Sequence, residues 1–509
     1  MARFDVIVIG AGHNGLTTAA LLAKKGRKVV VLEASNQVGG ILTPWEFHPG
    51  FRSPGALHDT TAVRGDVIDI LGLGGHGLRR SANRPAILAL GGDEPLLIDG
   101  PRRAVAGSLT AADQQGLTRM NGFIETATPI LRRFLDRPPL DLVDVLHNRP
   151  TELMGAALGL RKLGGRGMLD LLRTPAMSVA DFLGEYLQSN LLKGALALPA
   201  VRCSQDGPRS PGTTFEFLLS EANAGPAVVG GGQALVSALE ASARAHGVEI
   251  RTGARVQRLA FSEAGSLVGA QLSDGEMVEG SRVAASCHPA VLLGDLVDPA
   301  LLSFATTQHR RSFRARGSTA QVLLAVSGDV RFSGHDGPAE YAAFAPSLDF
   351  VEKAHDAIKY RKPSEHPALE IFVPTSEAPD LAPEGHHVVS VLVHFSPFAP
   401  DGGWDEAGRE GLWERTRSQL TTVIEDLDER VLGHAVLTPE DMAERFHLPG
   451  GHLYHGEHGL DQRLVRPFPN FIGYGSPLPG VFLSGSGSHP GGGVTCGPGR
   501  LAADRIAKG

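Results

Sequence analysis

Hydrophobic positions mark the chain into recognisable units from its first residues. Val6-Ile7-Val8-Ile9 is an unbroken β-branched run of the kind a strand buried on both faces requires. Residues 16–25 have helical composition and stop at Gly26, and residues 28–32 form a second apolar run closed by Glu33. The first 34 residues therefore predict a βαβ unit. Beyond residue 76 the pattern changes, with helices predicted over 111–134 and 179–192 and breaks at Arg137-Pro138-Pro139 and Gly207-Pro208. Gly230-Gly231-Gly232 opens a helix over 234–246, followed by strands over 248–251 and 254–259. Further strands are predicted at 321–326, 370–373 and 387–395, a long helix at 406–427, and a strand, glycine loop and helix at 480–509.

This order predicts an α/β protein in two interleaved parts. A Rossmann-type nucleotide-binding domain is assembled from discontinuous segments, residues 1–75, 225–300 and 445–509. An α+β substrate domain is built from residues 76–224 and 301–444. Composition agrees with a folded chain of this size: 509 residues, 42% apolar and 20% charged. Glycine is in excess, 64 residues against a usual share of ~7%, which points to many tight turns and close backbone approaches.

The net charge of −7 and the lack of a basic stripe exclude nucleic acid as a partner. Three scattered cysteines, Cys203, Cys287 and Cys496, do not suit a disulfide scaffold or a dithiol redox centre, and a reducing, cytoplasmic setting is expected. His447, His452, His455 and His458 are dense but lack metal-ligand spacing, so no metal site is expected.

Gly10-Ala11-Gly12-His13-Asn14-Gly15 lies between a strand and a helix, where a pyrophosphate needs it. Gly10 permits the turn, Gly12 lets the backbone approach phosphate, and Gly15 lets helix and strand pack. Glu33 ends the second strand, where its carboxylate accepts bonds from a ribose without a 2′-phosphate. These features alone leave FAD and NAD both open. The run Gly485 to Gly499, ahead of a second helix, implies backbone lying against something flat, and a flavin fits.

Further motifs are Gly39-Gly40, Pro49-Gly50-Phe51, Gly385 to Ser390, Leu448 to His452, Gly456 to Gln462 with Arg466-Pro467, and Ser484 to Arg500 around His-Pro-Gly-Gly-Gly-Val-Thr. With these the whole chain resembles the phytoene-desaturase-like branch of the FAD-dependent oxidoreductases, within the amine-oxidase superfamily. Its pattern is closest to the pyridine nucleotide-disulphide oxidoreductase domain-containing protein 2 subgroup. The resemblance implies non-covalent FAD held by Gly10, Gly12, His13, Asn14, Gly15, Glu33, Gly39, Gly40, Val256, Gly485, Gly493, Val494 and Thr495. Ile41 stands where many members carry an arginine near the pyrophosphate. His489 and His58 are the candidate catalytic residues.

The implied activity is desaturation or isomerisation of a hydrophobic small molecule by hydride transfer to flavin N5, with oxygen or a quinone taking the electrons. Oxidation of an amine or amino acid is the alternative, and a non-enzymatic lipid- or prenyl-binding protein of the same superfold is a third. The apolar stretch 191–201 suits a tunnel lining or a membrane surface, but core packing is the default reading.

Overall fold

The computed structural model describes residues 3–102, 105–139 and 164–508. The nucleotide-binding part is built on a five-stranded parallel sheet in the order Val481–Leu483, Val283–Ala285, Val6–Ile9, Val29–Leu32 and Glu249–Arg251. Ile7 sits between Val30 and Val283, so the strands of lowest polarity take the centre. Helix His13–Lys24 packs against helices Gly231–Ala245 and Gly497–Lys508 beside this sheet. Their apolar faces join the strand residues Val6 and Val8 in a shared core. Three distant parts of the chain thus form one layer. Gly15 allows it, because a Cβ there would stand 2.0 Å from the Gly10 carbonyl oxygen.

A three-stranded antiparallel sheet, Val256–Phe261, Leu267–Leu272 and Met277–Glu279, follows the Glu249–Arg251 strand. The other large element is an eight-stranded mixed sheet. Its order is Val431–Leu437, Thr319–Ser327, His386–His394, Leu369–Phe372, Tyr341–Phe344, Ile87–Leu90, Leu96–Ile98 and Val105–Ala106. Only the Tyr341–Phe344 and Ile87–Leu90 strands pair in parallel. That pair joins residues 87–106 to the strands of 319–437.

Two predicted helices differ in extent. The 179–192 helix divides into Val179–Tyr186 and Asn190–Val201, because the Ser189 hydroxyl accepts from the Leu192 N–H and caps a new helix. The 406–427 helix ends at Leu420, where Thr421 and Thr422 hydroxyls turn back onto the Ser418 and Gln419 carbonyls. The apolar stretch 191–201 is core. Leu192, Ala195, Leu196 and Leu198 are fully buried. No helix among the described residues is long and apolar enough to cross a membrane.

Candidate functional site

The glycine-rich turn opens a cleft of about 270 Å3 at the C-terminal edge of the parallel sheet. Gly10 takes φ +94°, which lets the chain leave its strand sharply. Gly12 is different: its backbone (φ −70°, ψ 171°) suits any residue, yet a Cβ there would meet nothing within 4 Å. No side chain caps the helix that follows, so its first N–H groups are left for a ligand. The cleft wall includes Gly10, Gly12, His13, Asn14, Glu33, Gly39, Gly40 and Val256. Glu33 is held by the Ala11 N–H (2.6 Å) and the Ser35 N–H (2.9 Å). The Gly39 N–H donates to the Ala11 carbonyl at 3.0 Å, which sets the second glycine pair beside the first. Open space at Gly12, exposed helix N–H groups and an acid at the strand end fit the adenosine and pyrophosphate of FAD.

The C-terminal loop closes over the same helix. Asn14 Nδ2 donates to Ser486 Oγ (3.2 Å), Asn14 Oδ1 accepts from the Gly499 N–H (3.4 Å), and the His13 ring bonds to the Gly493 backbone. Gly493, Val494 and Thr495 line a second cavity of about 90 Å3 with Tyr454, His458 and Arg463. Gly485 lines neither cavity. Its Cβ would stand 2.2 Å from the Ser286 carbonyl oxygen, so the glycine there serves strand packing. Arg466, 1% exposed, braces the loop by donating to the carbonyls of Tyr454, Gly456, Glu457 and Ser486. That accounts structurally for the Gly456 to Arg466 motif. Burial pushes the Cys287 and Cys496 thiols up to about 12, so neither offers the thiolate that covalent attachment of a flavin needs.

A third cavity, about 430 Å3, shares Asp59, Thr61, Pro199, Arg202 and Ser220 with the second. His58 lines it. Its Nε2 lies 2.8 Å from Ser390 Oγ and 3.1 Å from Gln321 Nε2, so both contacts fall on Nε2 and none on Nδ1. That buried Nδ1 has no partner. Burial lowers the ring's pKa to about 3, so His58 is neutral. Beside it, Arg202 bridges Asp59 (2.7 Å) and the fully buried Glu370 (2.7 and 2.8 Å), and Tyr341 donates to Glu370 at 2.6 Å. Against the desolvation that opposes it, Arg202 holds the Glu370 carboxyl far below the usual range.

His489 lines none of these three cavities. It is 1% exposed, its Nε2 donates to the Phe134 carbonyl at 2.7 Å, and it anchors the loop to helix Ala111–Asp136. Residue patterns alone do not single out Arg202, Glu370 or Ser486. A charge inside an apolar run was the available signal, as in Leu369-Glu370-Ile371-Phe372. Among the described residues, Glu352, His355 and Asp356 are the acid and histidine groups close enough to share an ion. Both His355 nitrogens are already engaged, by Glu352 and the Gln205 carbonyl.

Burial also lowers the pKa of His13 and His489 to about 4 and of His455 and His458 to about 3. With His58 these rings are neutral when folded, but in the unfolded chain each takes a proton near 6.5. Their stabilising effect is therefore complete above about pH 6.5 and is lost as pH falls below it. Each histidine contributes a slope of up to about 1.4 kcal/mol per pH unit. Urea unfolding midpoints are expected to drop steadily between about pH 7 and pH 5; a flat profile contradicts the assigned charge states.

The chain matches the family model described as flavin containing amine oxidoreductase over residues 15–506. It is 30% identical to pyridine nucleotide-disulfide oxidoreductase domain-containing protein 2 of Rattus norvegicus, covering 98% of this chain and 93% of that protein. It is 27% identical to phytoene dehydrogenase of Streptomyces griseus over 98% of this chain and 94% of that one. Among solved structures, an oxidoreductase from Methanosarcina mazei superposes with a TM-score of 0.58 at 16% identity, covering 99% of this chain and 100% of that one. Putrescine oxidase bound to putrescine gives 0.59 at 15%, covering 100% and 99%; both share the fold. The chain belongs to the flavin-containing amine oxidoreductase family and is an FAD-dependent oxidoreductase.

Proposed function

We propose that this oxidoreductase desaturates, or isomerises, a hydrophobic small molecule in the 430 Å3 cavity. The carrying observation is that this cavity shares Asp59, Thr61 and Arg202 with the Gly493–Thr495 cavity, so a substrate there lies beside the proposed ring site. Glu33, Val256 and the Gly10–Gly15 turn hold the adenosine and pyrophosphate of FAD, with Gly39 and Gly40 beside them. Gly493, Val494 and Thr495 face its ring. When bound, FAD supplies a hydride acceptor at N5. The chain's residues contribute orientation and water exclusion, which together suffice for much of the rate of such a step. Neutral His58 stands in the cavity wall, and the Asp59–Arg202–Glu370 array fixes that wall. His489 acts by holding the loop.

Desaturase and dehydrogenase relatives at 25–27% identity support the substrate class. Electrons pass on to oxygen or a quinone in this reading. Contact with a membrane surface belongs to it too, supported by exposed Met168, Leu169 and Leu172 on helix Gly164–Arg173. Amine oxidation remains the second reading, favoured by Glu340, Glu377 and Asp380 on the same cavity. Anaerobic mixing with a panel of lipophiles and amines separates the two. Lipophiles are expected to bleach the flavin absorbance; bleaching by amines alone overturns the desaturase reading.

A further inference from the structure

The charges of the 430 Å3 cavity are unevenly balanced. Near His58, Arg202 is matched by two carboxylates, Asp59 and Glu370. Elsewhere on the wall, Arg84 and Arg102 share a single carboxylate, Glu221. Arg84 grips it with two bonds, Nη1 at 2.8 Å and Nη2 at 2.9 Å, and Arg102 adds its Nε at 2.7 Å. Both arginines line the cavity. Arg102 is 1% exposed, and its Nη1 has no hydrogen-bond partner.

A buried guanidinium with an unmet donor beside a second guanidinium is unfavourable by itself. Burial and the neighbouring Arg84 both push Arg102 below its ordinary pKa, the electrostatic counterpart of that geometry. An added anion relieves both defects, since it accepts the free N–H and neutralises the excess charge. Ile87, Tyr341 and Phe372 supply apolar wall in the same cavity. Glu340, Glu377 and Asp380 also line it, so the anion is placed by the arginine pair against these carboxyls.

We infer that the substrate is an amphiphile whose anionic end, a carboxylate or a phosphate, is held by Arg102 and Arg84 while its chain runs along the apolar wall towards His58. The assignment of this ligand as a substrate rests on the oxidoreductase reading above.

Calorimetric titration of the purified holoprotein with decanoate, decyl phosphate and decanol, each below its micelle concentration, tests it. At least one anion is expected to bind about tenfold or more tightly than decanol. The tighter of the two identifies the headgroup. In Arg102→Gln, and independently in Arg84→Gln, that advantage is expected to fall below about twofold, with thermal unfolding and flavin content checking that each variant is folded. Equal affinity of all three ligands for the wild-type protein overturns the inference. So does an advantage that survives in a folded variant. Flavin bleaching is followed in the same samples: tight anion binding without bleaching by any lipophile counts against the desaturase reading alone.

Discussion

Replacing Gly12 by leucine is expected to leave the protein folded and strip it of flavin. Two of the turn's three glycines, Gly12 and Gly15, fail for opposite reasons, which makes the pair informative. At Gly12 the backbone is ordinary and a side chain meets no protein atom within 4 Å, so the apoprotein tolerates it. The space it fills is the space the pyrophosphate needs, next to the uncapped helix N-terminus. A loss of at least about 100-fold in FAD affinity follows, equivalent to about 2.7 kcal/mol. Gly15→Ala instead drives a Cβ to 2.0 Å from the Gly10 carbonyl and is expected to unfold the βαβ unit. Flavin content and thermal unfolding, measured on both variants, decide the matter. Full flavin retention in Gly12→Leu would show the pyrophosphate lies elsewhere.

Arg202→Leu is expected to be the most damaging change in the 430 Å3 cavity. It strands Glu370, fully buried at the centre of the eight-stranded sheet, and leaves Asp59 without its cation. An uncompensated buried charge of this kind costs about 3–5 kcal/mol. The double variant Arg202→Leu, Glu370→Leu is expected to recover most of that loss, because the coupling between contacting charges is then removed as a unit. The pH dependence has a definite sign. Glu370 is depressed when folded, so its contribution is present above about pH 4.5 and is lost as pH falls further. Denaturant unfolding of wild type and both variants between about pH 3 and pH 7 checks each point. A single variant as stable as the wild type contradicts the role given to Arg202.

The parts of the fold legible in the residue pattern are those whose signals are local. The Val6–Ile9 strand, the Gly10–Gly15 turn and Glu33 sit within 34 residues, and the physics of a βαβ unit leaves them little choice. The helix predicted over 179–192 is divided in the structure, because its composition stays helical through a break made by one serine hydroxyl. The 406–427 helix fails in the same way, at two threonines. Strand order in the large sheet was not legible, since pairing Ile87–Leu90 with Tyr341–Phe344 depends on contacts some 250 residues apart. The site divides similarly. Glycines announce backbone approaches in the sequence, whereas Arg202, Glu221 and Glu370 reveal their roles only once burial is known. His489, next to the glycine run, drew attention through sequence proximity. Its ring belongs to the packing of a helix carbonyl.

Non-covalent FAD in the Gly12 cleft is the premise on which the cavity, the ion pairs and the substrate assignment depend. The flavin freed when the purified protein is denatured by heat and centrifuged tests it most directly. The expected result is one FAD per chain in the supernatant and a colourless pellet. A protein without flavin, or flavin that stays with the precipitated chain, contradicts it.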